Sequence, residues 1–442
     1  MPTTVQVVNR YVSSDNVAGA AIVFDGAAID VHSPRTRANG QVAVATETLS
    51  DGDHVMHIVP NPTATASVGP AVAEGLAAAA TRMFRSLDVT ATVTKGKITA
   101  TSAPLNQALN GSVLGTNPVR VQLQPIYFRS PFQNANDRSG TDITLIVLHH
   151  TSGAANIGGT LEWYINPASQ TSAHYVVSAE TVPQVVKVVQ DTGRSWQAGH
   201  NTFWKGNSGV NHFSIGIELS HKTGTPFPGK QFDAMLDLID RIRTAYPTIP
   251  ANGIVGHMDV LLENSSQILS GRDCPGFDFE WPLLEKRGLG LIPSGAAVNL
   301  DMYGGFFQVA ASPKNMLVAG DSDASRKWGG VTWPVPAPPP GPGAPPPDKP
   351  APPTVKGAPI AELQTDLRDI GYCVDVNGHY NMQTLRAVQM FQQHFFAGSR
   401  RSLINDSDRQ KVNQVTAEFI KQVRRAMPGE KRPSPCSRLL AS

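Results

Sequence analysis

The sequence predicts a multidomain protein: a β-rich N-terminal domain, a central α/β domain with a mixed sheet flanked by helices, and a C-terminal domain of three helices. Three observations carry that expectation. Short β-prone runs, broken by Asp-Gly and Asn-Gly turns, fill residues 1–130. Strand-like and helix-like patterns alternate across residues 141–293. A proline-rich stretch, Pro334–Pro353, then cuts off a last segment whose apolar positions recur at helical spacing.

In the N-terminal part, Val5–Val12, Ala20–Phe24, Val42–Thr48 and His54–Val59 read as strands, and Val119–Phe128 as a strand leading out. The Ala-rich stretch Pro70–Phe84 reads as a helix interrupting them. Residues Ala20–Pro60, with their Asn39-Gly40 and Asp51-Gly52-Asp53 turns, resemble transthyretin-like or carboxypeptidase-regulatory-like sandwiches. They hold no catalytic constellation, which suits an accessory or docking domain.

In the central part, Ile143–Leu148 is a nearly continuous apolar run of the kind a buried strand needs. Tyr175–Ser178, Ser214–Leu219 and Ile254–Gly256 are further strands. Phe232, Met235, Leu236, Ile239 and Ile242 recur at a 3.6-residue period, and Pro247 stops that helix. In the last segment, Ile360, Leu363, Leu367 and Ile370 mark a first helix, Thr384–Gln392 a second and Asp408–Ala426 a third.

Composition narrows the function. The chain has 442 residues, enough for two to four domains. A net charge of +2 disfavours nucleic acid as partner. Three cysteines exclude a disulfide scaffold. No apolar run approaches the ~20 residues of a membrane span. The opening MPTTVQVVNR lacks the basic and apolar regions of a cleavable signal peptide.

The chemistry gathers at strand ends. His149-His150 closes the first apolar run, His257 follows Val255-Gly256, and Asp273-Cys274-Pro275-Gly276 comes shortly after. Two imidazoles and a thiolate make a three-ligand set that leaves one tetrahedral position open, as catalytic zinc requires. Glu218 sits near the end of the apolar Ser214–Leu219 run, where a carboxylate needs a partner or a task. Each residue alone is more often a satisfied core or surface group.

Together, Leu148-His149-His150-Thr151, Ser172-Ala173-His174-Tyr175, Ser214–Glu218, Gly256-His257 and Asp273-Cys274-Pro275-Gly276 resemble the zinc-dependent N-acetylmuramoyl-L-alanine amidases, the family that shares its fold with peptidoglycan recognition proteins. The resemblance implies His149, His257 and Cys274 as Zn2+ ligands and Glu218 as catalytic acid/base. Arg272 stands where many members carry a lysine, as oxyanion stabiliser or plain surface arginine. Trp196-Gln197-Ala198-Gly199 stands where the family has Trp-His-Ala-Gly. Trp196, Gln197, His200 and His174 are read as substrate contacts or as packing.

The helical segment, with Gly371-Tyr372, Asn377-Gly378-His379-Tyr380 and Thr384–Gln392, resembles the peptidoglycan-binding domain found beside wall hydrolases. The implied organisation is 1–130 accessory, 131–293 amidase, 294–333 its extension, 334–357 linker, 358–428 wall-binding and 429–442 tail. The implied activity is hydrolysis of the bond between N-acetylmuramic acid and L-alanine. The alternatives are a non-catalytic peptidoglycan recognition protein and a cytoplasmic recycling amidase for anhydro-muropeptides. The implied place of action is the periplasm or wall of a host or target cell, reached without a cleavable signal. Delivery machinery engaging the N-terminal domain is the further partner implied. Whether Cys373 pairs with Cys436 stays open.

Overall fold

The computed structural model describes residues 2–11, 16–29, 32–60, 82–102, 111–114, 119–128, 135–138, 140–153, 156–262, 273–292, 316–318, 320–322, 359–398, 400 and 411–427. They form two compact units: 1–139 with 154–196, and 140–153 with 197–442. The residues expected to form one central domain are thus shared between the units. The C-terminal helices cluster in the second unit, with the strand that bears His149.

The first unit holds a sandwich of two four-stranded sheets. One sheet has β1 (Thr3–Asn9) flanked by antiparallel β3 (Gln41–Val44) and parallel β8 (Val119–Leu123), with β7 (Gly111–Leu114) outside β8. The other runs β2 (Ala21–Phe24), β4 (Gly52–Val59), β5 (Leu87–Thr94), β6 (Lys97–Ser102), all antiparallel. Alternation decides which face is buried: in β5, Leu87, Val89, Ala91 and Val93 point inward while Asp88, Thr90 and Thr92 do not. They meet Val5, Val7, Val119 and Val121 of the first sheet in one apolar core.

The stretch expected as a helix, Pro70–Phe84, ends in a strand, Arg82–Phe84, paired with Pro125–Phe128; residues 70–81 lie outside the described residues. The lead-out strand expected over Val119–Phe128 is two strands that break at Gln124, whose buried side chain donates to the Pro125 carbonyl (2.8 Å).

The rest of the first unit carries α1 (Gly158–Ile165) and the strands Tyr175–Val177, Val185–Lys187 and Gly193–Ser195. It also contains a buried charged cluster. Asp191 pairs with Lys187 (3.2 Å) and accepts from the Tyr175 hydroxyl (2.9 Å), while its backbone carbonyl accepts from Arg138 Nε (3.0 Å). All four residues are less than a tenth exposed.

In the second unit three parallel strands lie side by side in the order β11-β9-β10: β9 (Leu145–His150), β10 (Ser214–Leu219) and β11 (Ile254–Gly256). Their residues are buried on both faces except His150, which explains the unbroken apolar runs. Helix α2 (Gly229–Ala245) buries a stripe of Phe232, Met235, Leu236, Ile239 and Ile242. A short helix, α3 (Trp281–Lys286), follows.

Helices α4 (Pro359–Ile370), α5 (Met382–Phe395) and α6 (Gln414–Ala426) complete this unit. Asn381 and Asn413 cap α5 and α6 by accepting from the Thr384 and Thr416 amides (3.0 and 2.8 Å). The second cap starts the last helix at Gln414 rather than Asp408. Buried Gln364 holds the Asn377-Gly378 turn, its Oε1 accepting both amides at 2.9 Å. The helices do not make a separate core: Tyr372, Phe391 and Phe419 share one cluster with Leu145, Val147, Val255 and Met258. Cys373 is disulfide-bonded, and Cys436 lies outside the described residues. Among the described residues no helix is long and apolar enough to cross a membrane.

Candidate functional site

Parallel pairing brings three chain segments together at the C-terminal ends of β9, β10 and β11. His149 stands in register with Glu218, so both side chains leave the same face of the sheet. Leu148 pairs with Gly256, and the His257 amide donates to the Leu148 carbonyl (3.0 Å), which sets His257 beside His149. Their ring centroids are 4.6 Å apart. Cys274 arrives on a loop pinned to the same place, its carbonyl accepting from the Met258 amide (2.9 Å).

The ligand atoms of His149, His257 and Cys274 all lie within 4.8 Å of one another, and all three residues are buried. Two nitrogens and one sulfur at that spacing can hold one metal ion, and a borderline-soft ion of zinc type matches the set. Glu218 is 9% exposed.

The hydrogen bonds behind the ligands fix their tautomers. Ser214 Oγ donates to the Val210 carbonyl (2.7 Å), so it accepts from Gln197 Nε2 (2.8 Å). Gln197 therefore turns Oε1 toward His149 Nε2, 3.0 Å away. That nitrogen must carry the proton, which leaves His149 Nδ1 bare. His257 Nε2 faces the Ala198 carbonyl at 3.3 Å and likewise leaves Nδ1 bare. A backbone amide, that of His150, donates to Cys274 Sγ (3.2 Å) and fixes the position of the sulfur. Gly216 is needed here: a Cβ on it would collide with the Gln197 amide where that side chain crosses β10.

His150, next to His149 in the strand, takes another direction, its Nε2 bonding Ser152 Oγ (3.0 Å). Gln197, expected to touch substrate, instead lies 9% exposed behind His149. His200 is exposed. His174 and Trp196 belong to the first unit. His174 has no exposed surface; Nδ1 shares a hydrogen bond with Ser195 Oγ (2.9 Å), and Nε2 lies near the Gly193 carbonyl (3.0 Å) and Arg138 Nη2 (3.2 Å). Burial and the neighbouring Arg138 push its pKa well below the usual imidazole value, so it stays neutral. That is the environment of a core histidine, not of a substrate contact. Trp196 is half-buried, with Nε1 donating to Asn136 Oδ1 (2.9 Å). Arg272 lies outside the described residues.

Two residues near the site were not singled out in the sequence as site residues. Asp259, two positions after His257, is buried and accepts from the Gly256 amide (2.8 Å). Tyr372, from the helical segment, donates to the same carboxylate (3.0 Å). Burial and that carboxylate hold the Tyr372 phenol well above its ordinary pKa, so it remains a donor. The Gly371-Tyr372 motif was visible, but its partner 113 residues away was not.

The chain is similar to known proteins over the same segment. Residues 139–277 match the family model described as N-acetylmuramoyl-L-alanine amidase. The chain is 30% identical over 156 residues to the 1,6-anhydro-N-acetylmuramyl-L-alanine amidase AmpD of Haemophilus influenzae, covering 32% of this chain and 79% of the relative. It is 29% identical over 176 residues to the N-acetylmuramoyl-L-alanine amidase AmiD of Escherichia coli, covering 37% of this chain and 59% of that relative's length. A solved complex of AmiD with anhydro-N-acetylmuramic acid-L-Ala-D-gamma-Glu-L-Lys is similar over 64% of this chain and 90% of the other, at 20% identity and a TM-score of 0.40.

Proposed function

Because the chain belongs to the N-acetylmuramoyl-L-alanine amidase family, we propose that it hydrolyses the amide bond between N-acetylmuramic acid and the L-alanine of the peptidoglycan stem peptide. The observation that supports this most is the convergence of His149, His257 and Cys274 ligand atoms beside a glutamate in register with His149. A non-catalytic recognition protein has no use for Glu218 in that position.

His149 Nδ1, His257 Nδ1 and Cys274 Sγ would hold a zinc ion. When bound, zinc acidifies water and polarises a carbonyl oxygen. Glu218 is the general base: its carboxylate takes the proton of the attacking water and returns it to the leaving L-alanine amine. Gln197 and the Ala198 carbonyl keep the two imidazoles turned, so little reorganisation is needed when substrate arrives. If Arg272 reaches the reacting carbonyl, its guanidinium adds charge to the oxyanion site. His200 and Trp196 are the remaining candidates for sugar or peptide contact. The N-terminal sandwich is read as a docking piece for delivery to a wall, with the helical segment binding peptidoglycan.

The test is product analysis of purified sacculi. Wild-type protein should release stem peptides beginning with L-alanine and leave glycan strands intact, and chelator-treated protein should release none. Glu218→Gln should keep its zinc and lose about 10²–10⁴-fold in kcat. Wild-type rates from that variant would overturn the role of Glu218. Zinc and sacculus binding without release would favour the recognition protein. Release from small anhydro-muropeptides alone would favour a recycling amidase, acting on the anhydro-sugar that the name of AmpD carries.

A further inference from the structure

Asp259 ties the helical segment to the metal ligands. Its carboxylate is 3% exposed and accepts three hydrogen bonds. The first comes from the amide of Gly256, directly before His257 (2.8 Å). The second comes from the Tyr372 hydroxyl, just after α4 (3.0 Å). The third comes from His394 Nδ1 near the end of α5 (2.7 Å), an imidazole stacked on Trp281 with centroids 3.8 Å apart.

A buried carboxylate without donors is costly, so these three contacts define where Asp259 can sit. Asp259 in turn closes a loop onto Gly256, with His257 held between them. Helix α5 reaches the other ligand loop as well. Gln393 Nε2 donates to the carbonyl of Asp273, the residue before Cys274, and the Gly398 amide donates to the Phe277 carbonyl (2.6 Å).

We propose that Tyr372 and His394 are positioning residues of the metal centre: through Asp259 they set the orientation of His257, and the helical segment is a structural part of the site. This rests on reading His149, His257 and Cys274 as zinc ligands. It gives the helices a task beyond wall binding.

The experiment measures zinc affinity of the full-length protein by competition with a chromogenic chelator, and the d–d spectrum of the cobalt-loaded protein. Thermal midpoints are taken alongside. The variants are Tyr372→Phe, His394→Leu, His394→Asn and, as control, Tyr380→Phe, which removes another fully buried hydroxyl of the same segment. Tyr372→Phe and His394→Leu should each weaken zinc by about tenfold or more and shift the cobalt bands. His394→Asn, whose amide can place a donor near the Nδ1 position, should restore most of the affinity. Tyr380→Phe should change neither readout, whatever it does to the thermal midpoint.

Wild-type zinc affinity in both Tyr372→Phe and His394→Leu would overturn the proposal. So would an equal loss in Tyr380→Phe, which would mark the contacts as general packing. Failure of the underlying ligand reading looks different: Cys274→Ala would then hold zinc as tightly as wild type.

Discussion

Gln197 and His149, 48 residues apart in the chain, meet in a 3.0 Å hydrogen bond that decides which imidazole nitrogen faces the metal position. The Ser214 hydroxyl behind them orients the amide, so the relation is directional. Gln197→Leu keeps the volume but removes the acceptor. It should weaken zinc by about 10–100-fold with little change in thermal stability of the metal-free protein. Chelator competition and calorimetry check both halves; unchanged affinity would mean that His149 is held by the sheet alone.

Gly216 gives that glutamine its passage. Gly216→Ala puts a methyl group into the Gln197 amide on a strand buried on both sides. The expected cost is about 1–3 kcal/mol of stability, from overpacking. Zinc affinity should fall with it, since relief requires Gln197 to move. Denaturant unfolding with and without zinc measures both effects, and a stability equal to wild type would contradict the packing.

Asp191 balances buried cations in the first unit. Asp191→Ala removes the carboxylate that lies 3.2 Å from buried Lys187 and accepts from the Tyr175 hydroxyl. Breaking a buried pair from one side costs about 3–5 kcal/mol. Replacing Lys187 and Asp191 together by methionine and leucine should recover much of that loss. Thermal unfolding of the single and double variants tests this, and additive losses would disprove the coupling.

Asp366 on α4 gives a pH signature. Burial lifts its carboxyl from 3.8 to about 6. Between those values the folded chain holds a proton that the unfolded chain has released. The stabilisation is therefore fully present below about 3.8 and lost as the pH rises through about 6. Asp366→Asn removes the titration. Its thermal midpoint should exceed that of wild type at about pH 8, and the gap should close toward about pH 4. Parallel midpoints across that range would rule the effect out.

The ends of strands were the most legible part of the sequence. His149, Glu218 and His257 each close or follow an apolar run, and burial on both faces leaves such a run one reading. Cys274 was legible through its Asp-Cys-Pro-Gly setting. The position of Gln197 was not, because it depends on Ser214 and on a glycine that lets the side chain cross a strand. Nor was the burial of His174 legible, since Ser195, Gly193 and Arg138, its nitrogens' neighbours, lie about 20–36 residues away in the chain. Helix α1 begins with two glycines and was not foreseen, its burial being supplied by Ile157, Leu161 and Tyr164 in the first unit. The core that Tyr372 and Phe391 share with β9 and β11 was not legible, because helical spacing does not say what a helix packs against.

The Asp259 contacts also bear on how the protein is made. Tyr372 and His394 follow Asp259 by 113 and 135 residues. At about 5–20 residues per second, a ribosome reaches His394 about 7–27 seconds after Asp259. Until Tyr372 and then His394 are added, the nascent chain already carries His149, His257 and, soon after, Cys274, yet lacks the full set of side chains that steady the loop at Asp259. The loop that bears His257 therefore gains the last of these hydrogen-bond donors only as translation reaches the helices.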